Sequence, residues 1–166
     1  MTAVMQGVRV LEVAEHTFVP AASALLADWG AEVIKIEHVE RGDAMRGLAA
    51  SGIAQVSSAG HPLLEHSNRG KKSLGLDLTT PDGLDILHRL AATSDVFLTN
   101  KMPSVRQKLK TDIDDIRAHN PNIIYVSGHG YGARGPDRDA GGYDAISYWY
   151  RGTSGMSALG LTDDPS

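Results

Sequence analysis

Residues 127–144 read SGHGYGARGPDRDAGGYD and follow directly on the apolar run NIIYV at Asn122–Val126. Six glycines in so short a stretch give a main chain that can take positive φ and approach a ligand closely, at a cost in ordering entropy. Two readings fit: a loop built around a bound group, or a disordered surface loop. A second chemical candidate is Glu37, at the end of the run EVIKIE, where an acid could hydrogen-bond the ribose of a dinucleotide. The turn that would hold the pyrophosphate is EHTFVPAAS. It has no glycine, and Pro20 offers no N–H at the helix start, so dinucleotide binding is disfavoured. The seven histidines show no HExxH or paired spacing, and the chain has no cysteine. Zinc sites, disulfides and thiolate catalysis are therefore not expected.

These residues need a scaffold, and 166 residues are enough for one domain with a real core. A hydrophobic fraction of 42% with 22% charged residues is ordinary for a soluble globular protein. The net charge of −4 argues against nucleic acid as the main partner. No apolar run approaches the ~18 residues of a membrane span, and the start MTAVMQGVRVLEV lacks a signal-peptide layout. The expectation is a cytoplasmic protein without membrane contact. The ending GTSGMSALGLTDDPS predicts a chain that continues into something longer.

Val8–Val13 (VRVLEV) reads as a strand and Ala21–Trp29 as a helix whose buried face is Ala22, Leu25, Leu26 and Trp29. Gly30 stands where a helix-terminating glycine belongs, and Glu32–Glu37 is the next strand. The resulting βαβ unit implies parallel strands with a right-handed crossover. Residues 41–69 lack periodicity and read as a long irregular excursion. Ser73–Leu78 resumes as a strand, and Thr80-Pro81-Asp82 starts a helix with Leu84, Leu87 and Ala91 inward. Asp95–Thr99 is a strand, Ser104–Leu109 and Asp112–Ala118 are helical, and Ile123–Val126 is a strand. The alternation predicts an α/β fold, a mainly parallel sheet flanked by helices. Ligand sites in such sheets lie beyond the carboxyl ends of the strands. The loops Glu15–Pro20, His38–Gly42, Asn100–Pro103 and Ser127–Gly132 should therefore gather along one edge.

Four stretches, in order, carry a resemblance: VRVLEVAEHTFVPAASALLADWGAEVIKIEHVERGDAMRG, NRGKKSLGLDLTTPDG, DVFLTNKMPSVRQKL, and NPNIIYVSGHGYGARGP followed by GGYD. Together they resemble the family III CoA-transferases, the carnitine dehydratase/bile-acid-inducible family, from about Val8 to Asp144. The resemblance implies a Rossmann-like, CoA-binding N-terminal domain over residues 1–166, with 145–166 beginning the linker to the rest. It also implies a polypeptide more than twice this length and an interlocked homodimer. The implied reaction takes coenzyme A as acyl-CoA and passes it to a carboxylic acid. An aspartate carboxylate attacks the thioester, and an aspartyl-CoA thioester forms on the way. No metal is implied.

Carried over by position, the CoA contacts would be Thr17, Phe18, His38, Leu76, Asp77, Leu78, Thr79, Asn100, Lys101, Met102, Lys108, Gly128, His129, Gly130 and Tyr131. Lys108 can meet a phosphate as a point charge, and main-chain N–H groups near Gly128–Gly130 can approach the thioester end. His38 stands where some members have arginine, Thr79 where lysine is frequent, and Lys101 where an aromatic is usual. Lys71 and Lys72 are either a solvated turn or phosphate ligands. Phe18 either packs at the helix entry or touches the ligand. His129 is the candidate polar group near the acyl carbonyl, with Tyr131 and Asp144 in support; for Asp144 the favoured reading is a loop anchor through backbone hydrogen bonds.

The family nucleophile follows a glycine. After Asp144 the only aspartates are Asp163 and Asp164, in LTDDPS, and neither does. The nucleophile is therefore expected beyond residue 166, and these residues alone are expected to be inactive. Two alternatives remain: a non-catalytic CoA- or nucleotide-binding module, and an α-methylacyl-CoA racemase. Racemases of this family use a His-Asp step where this chain has Tyr143-Asp144. An ordinary tyrosine titrates near ~10 and a histidine near ~6.5, so a tyrosine there suits proton shuttling poorly.

Overall fold

The computed structural model describes residues 3–49 and 60–143. The chain divides into two compact units, residues 1–128 and 129–166. The first is built on a sheet of five short strands: β1 (Arg9–Val13), β2 (Glu32–Glu37), β3 (Lys72–Gly75), β4 (Val96–Thr99) and β5 (Ile124–Ser127). They stand in the order β3-β2-β1-β4-β5 and are all parallel. Helix α1 (Phe18–Asp28) links β1 to β2. A 3-10 helix (Ala44–Ala49) and α2 (Pro62–Asn68) lie between β2 and β3. Helix α3 (Pro81–Ala92) precedes β4, and α4 (Pro103–Lys108) and α5 (Ile113–Arg117) precede β5. The chain winds outward from β1 to β3, then crosses back to β4 on the other side of β1. This reversal opens a crevice at the carboxyl end of the sheet between β1 and β4.

Alternating side chains of the strands feed two cores. Leu11, Val13, Ile36 and Phe97 pack on one face with Leu87 and Ala91 of α3 and Ile116 of α5. Val10, Val33 and Leu98 pack on the other with Val19 of α1. Burial on both faces is why the strands read as near-continuous apolar runs. Truncating the fully buried Leu87 to alanine would cost about 2–5 kcal/mol.

Helix α3 starts as its sequence dictates: Thr80 Oγ1 accepts from the Gly83 N–H at 3.2 Å, and Pro81 sits in the first turn. Asp112 and Asp115 close a reciprocal capping box on α5. Three expectations are corrected. Helix α1 begins at Phe18, three residues early, and buries Val19, Pro20, Ser23 and Ala24. Leu25 and Trp29 remain 48% and 50% exposed and Ala22 is also exposed, so the inward stripe is rotated from the one that apolar spacing suggested. Small residues win that face because the helix lies close over the sheet, where Ser23 reaches a buried carboxylate. The excursion 41–69 is not wholly irregular. His61 Nδ1 accepts from the Leu64 N–H at 3.2 Å and Pro62 opens a helix that polar composition had masked. Finally, β3 ends at Gly75, so Leu76–Leu78 lie past the sheet rather than in it. No helix among the described residues is long and apolar enough to cross a membrane.

Candidate functional site

Because all five strands run the same way, their carboxyl ends form one rim. Along it, in spatial order, stand Leu76–Thr79 after β3, His38 after β2, Ala14–Phe18 after β1, Asn100–Met102 after β4, and Gly128 after β5. Every CoA contact carried over by position in the first unit is on this rim except Lys108, at the far end of α4, whereas Lys71 and Lys72 stand at the opposite end of β3.

The loop after β1 is held by side chains of other elements. Lys35 Nζ donates to Ala14 O at 2.9 Å. Asn100 receives the Glu15 N–H at 3.0 Å and donates to Glu15 O at 2.6 Å. Asp43 Oδ1 accepts the His16 N–H at 2.9 Å, and His16 takes a left-handed φ of 66°. Thr17 and Phe18 follow, both exposed. Phe18 is 69% exposed, and a Cβ added to Gly128 would stand 3.0 Å from its ring and collide with Val19. The main chain leaving β5 thus passes close over the start of α1, which explains glycine at position 128.

Beneath this loop lies a buried ion network. Glu12 and Lys35 are register partners on β1 and β2, joined at 2.7 Å. Lys35 also meets Asp43 Oδ2 at 2.8 Å, and Lys71 Nζ meets Glu12 Oε2 at 2.7 Å. Ser23 Oγ donates to Glu12 Oε2 as well. Burial opposes the charge on Lys35, but Glu12 and Asp43 outweigh it and its pKa is raised. Burial likewise opposes ionisation of Asp43, yet Lys35 and the Met45 and His16 amides hold it below the usual carboxylate range. For Lys71 burial wins over the attraction of Glu12, and its pKa is lowered. Lys71 is therefore neither a solvated turn residue nor a rim ligand: its ammonium points inward. Lys72 is exposed and pairs with Glu32 at 2.6 Å.

The remaining rim residues are largely engaged with one another. His38 Nδ1 accepts the Glu40 N–H at 3.2 Å. Asp77 accepts from both the N–H and the hydroxyl of Thr79, at 2.9 and 2.6 Å, and these bonds, with a smaller contribution from His38, lower its pKa. Leu76 is buried and Leu78 packs against the same core. Lys101 Nζ pairs with Glu15 at 2.8 Å, and Arg106 donates to Lys101 O at 2.9 Å. Met102 caps α4 through its carbonyl, which accepts from Val105 at 2.9 Å. Leu78, Thr79 and Lys108 come together with Thr80, Pro81, Leu84 and Leu109 around an open cleft of about 310 Å³. A second cleft, about 430 Å³, opens beside β2 and β3, where Glu37, Arg46 and Ser73 line it.

His129, Gly130 and Tyr131 open the second unit. Within it, a Cβ on Gly130 would stand 2.5 Å from Gly142 Cα, so the two ends of the glycine-rich segment touch main chain to main chain. Gly132 and Gly135 have φ of 81° and 86°. Tyr143 is the last described residue; Asp144 and 145–166 lie outside the described residues.

Reading the sequence did not single out Glu12, Lys35, Asp43, Glu15 and Arg106, whose side chains hold the rim loops or one another. The first two carried a signal: each is a charge, of opposite sign, flanked on both sides by apolar residues within a strand.

Residues 5–166 match the model of CoA-transferase family III. The chain is 33% identical over 162 residues to (R)-2-hydroxy-4-methylpentanoate CoA-transferase of Clostridioides difficile, which covers 98% of this chain and 40% of that protein. It is 39% identical over 166 residues to succinate–glutarate CoA-transferase of Agrobacterium fabrum, with 97% and 40% covered. Among solved structures, a CaiB/BaiF family protein from Brucella suis superposes with a TM-score of 0.76 at 31% identity, over 87% of this chain and 38% of that one. The chain thus spans about 40% of the length of the curated relatives it matches.

Proposed function

The chain belongs to CoA-transferase family III, and from that premise we propose that the whole protein carries coenzyme A from an acyl-CoA to a carboxylic acid, using the rim of this sheet to hold the CoA. The observation that carries the reading is the convergence of Thr17, Phe18, His38, Leu76–Thr79 and Asn100–Met102 on the carboxyl edge of one parallel sheet.

In this reading the CoA lies along the crevice. Lys108 and the main chain of Leu78 and Thr79 offer one cleft with a point charge for phosphate. Gly128, whose lack of a side chain brings the backbone close to Phe18, stands toward the thioester, where a main-chain N–H is the kind of donor that suits a developing oxyanion. The nucleophile is an aspartate supplied by the longer protein. Its carboxylate attacks the thioester carbonyl and expels CoA thiolate, leaving a mixed anhydride. The thiolate attacks the aspartyl carbonyl, releasing the donor acid and forming aspartyl-CoA thioester. The acceptor carboxylate then attacks that thioester, and returning thiolate takes the new acyl group and frees the aspartate. Each hard exchange becomes two easier steps. An interlocked homodimer is part of the same reading, as is a cytoplasmic setting for acyl-CoA chemistry.

Tyr143 favours transfer over racemisation, because the place of the racemase histidine holds a tyrosine. Calorimetric titration of the full-length protein with CoA tests the binding: micromolar affinity supports it, and no heat up to millimolar CoA sinks it. Label exchange from acyl-CoA into a free acid separates a transferase from a mere binding module. Deuterium entering the α-carbon of a 2-methylacyl-CoA without an acceptor acid would instead point to the racemase.

A further inference from the structure

We infer that the buried ion network under the loop after β1 is a positioning device for the ligand: Lys35, Asp43 and Lys71 grip the main chain on both sides of Thr17 and Phe18 and present those two residues to the rim. The inference rests on the CoA-binding reading above.

The grip is continuous. Before the exposed pair, Lys35 holds Ala14 O, Asn100 holds both polar groups of the Glu15 main chain, and Asp43 holds the His16 N–H. After it, Lys71 Nζ donates to Pro20 O at 2.8 Å. Three successive residues are thus fixed by side chains from β2, from the turn after it and from the end of β4. His16 is left in a backbone region that residues with a Cβ avoid, which persists only where surroundings over-determine it. Two ammonium groups and two carboxylates balance in charge, and Glu12 takes one bond from each ammonium. Stability alone does not explain such a cluster, since apolar side chains of similar volume commonly serve a core as well or better. What apolar side chains cannot do is bond the Ala14 carbonyl, the His16 N–H and the Pro20 carbonyl, as Lys35, Asp43 and Lys71 do. Among the described residues, no side chain from a neighbouring strand tethers the main chain of Thr17 or Phe18 in this way, so their placement depends on the residues that flank them.

The test uses the full-length protein and three forms of position 43. Asp43→Ala removes the acceptor for the His16 N–H. Asp43→Ser, too short to reach it, serves in its place if the alanine variant does not fold. Asp43→Asn keeps an oxygen where Oδ1 stands. Amide exchange at His16 and Thr17, exchange at Phe97 and Leu98 in the sheet, and the Kd for CoA are read on each. Positioning predicts that the alanine or serine variant exchanges at His16 about tenfold faster or more, binds CoA about tenfold more weakly, and speeds exchange at Phe97 and Leu98 by a clearly smaller factor, with asparagine restoring most of both losses. Wild-type exchange at His16, an equal loss at Phe97 and Leu98, or unaltered CoA affinity despite a loosened loop would each overturn it. Should the unsubstituted protein bind no CoA at all, the functional reading falls, while the exchange pattern still decides whether Asp43 fixes the loop.

Discussion

Two strands of the same sheet are built on opposite plans. In β1, Val10, Leu11 and Glu12 are fully buried and Val13 is 2% exposed, and the strand carries a charge into the centre of the fold. In β5, at the edge, Ile124 and Val126 stand 60% and 43% exposed. The loops that follow differ in the same sense. After β1 the main chain is pinned by charged and amide side chains arriving from β2 and β4. After β5 it is shaped by glycines: Gly128 because a side chain would strike Val19 and Phe18, Gly130 because one would strike Gly142. One half of the rim is organised by specific polar bonds, the other by what is left out. Damage to the first should spread through partners, and damage to the second should be local and steric.

The largest expected effect is at Glu12. Glu12→Ala strips two buried ammonium groups of a partner, and leaving such charges uncompensated costs about 3–5 kcal/mol. Chemical denaturation of the full-length protein measures this; a loss below about 1 kcal/mol would erase the contrast between the two halves. Gly128→Ala comes next. Forcing a methyl against Val19 and the Phe18 ring should cost about 1–3 kcal/mol by overpacking. It should also weaken CoA binding by displacing Phe18, measured by titration beside the melting curve.

Acid offers a finer probe. The folded pKa of Asp43 lies below its unfolded value, so its stabilising contribution is complete above the ordinary aspartate pKa near ~4 and is lost as pH falls through the folded value. Stability of the unsubstituted protein should therefore decline below about pH 4 more steeply than that of Asp43→Asn, in denaturation curves taken between about pH 2 and 6. Parallel curves would show that Asp43 does not couple to folding. At alkaline pH the two lysines oppose each other. Lys35 stabilises until pH rises through its raised pKa, whereas the burden of Lys71 begins to lift as pH rises through its lowered pKa and is gone above the ordinary lysine value.

Much of this molecule is legible in the sequence. VRVLEV, EVIKIE, DVFLT and IIYV each give a strand within a residue or two, and Thr80-Pro81-Asp82 marks a helix start that the hydroxyl cap confirms. The rim follows from strand direction alone. What escaped has physical causes. The buried face of α1 is made of Ser23, Ala24 and Pro20, so apolar spacing pointed to the wrong stripe. Helix α2 is set by a histidine cap and a proline rather than by periodicity. Lys71 sits beside Lys72 in sequence, and nothing local says that one ammonium turns inward while the other faces water. Only the register that puts Glu12 opposite Lys35 makes the inward charge intelligible.

The smallest effect is expected on the outer face of α3. Arg89 and Asp85 approach at 3.9 Å with side chains 78% and 69% exposed, so Arg89→Ala should shift stability by less than about 0.5 kcal/mol and leave CoA affinity unchanged. A larger loss would mean that charge substitutions act on this protein generally, and that Glu12 is not special.

The central claim is that coenzyme A lies along the carboxyl edge of this sheet. A crystal structure of the full-length protein with CoA bound tests it most directly. The account predicts CoA atoms within contact distance of Thr17 or Phe18, of the Leu78–Thr79 main chain, of Asn100–Met102 and of Lys108, with Ala14–His16 unmoved. CoA seated at the opposite edge of the sheet, beside Gly30 and Asp95, or away from the sheet altogether, would contradict it.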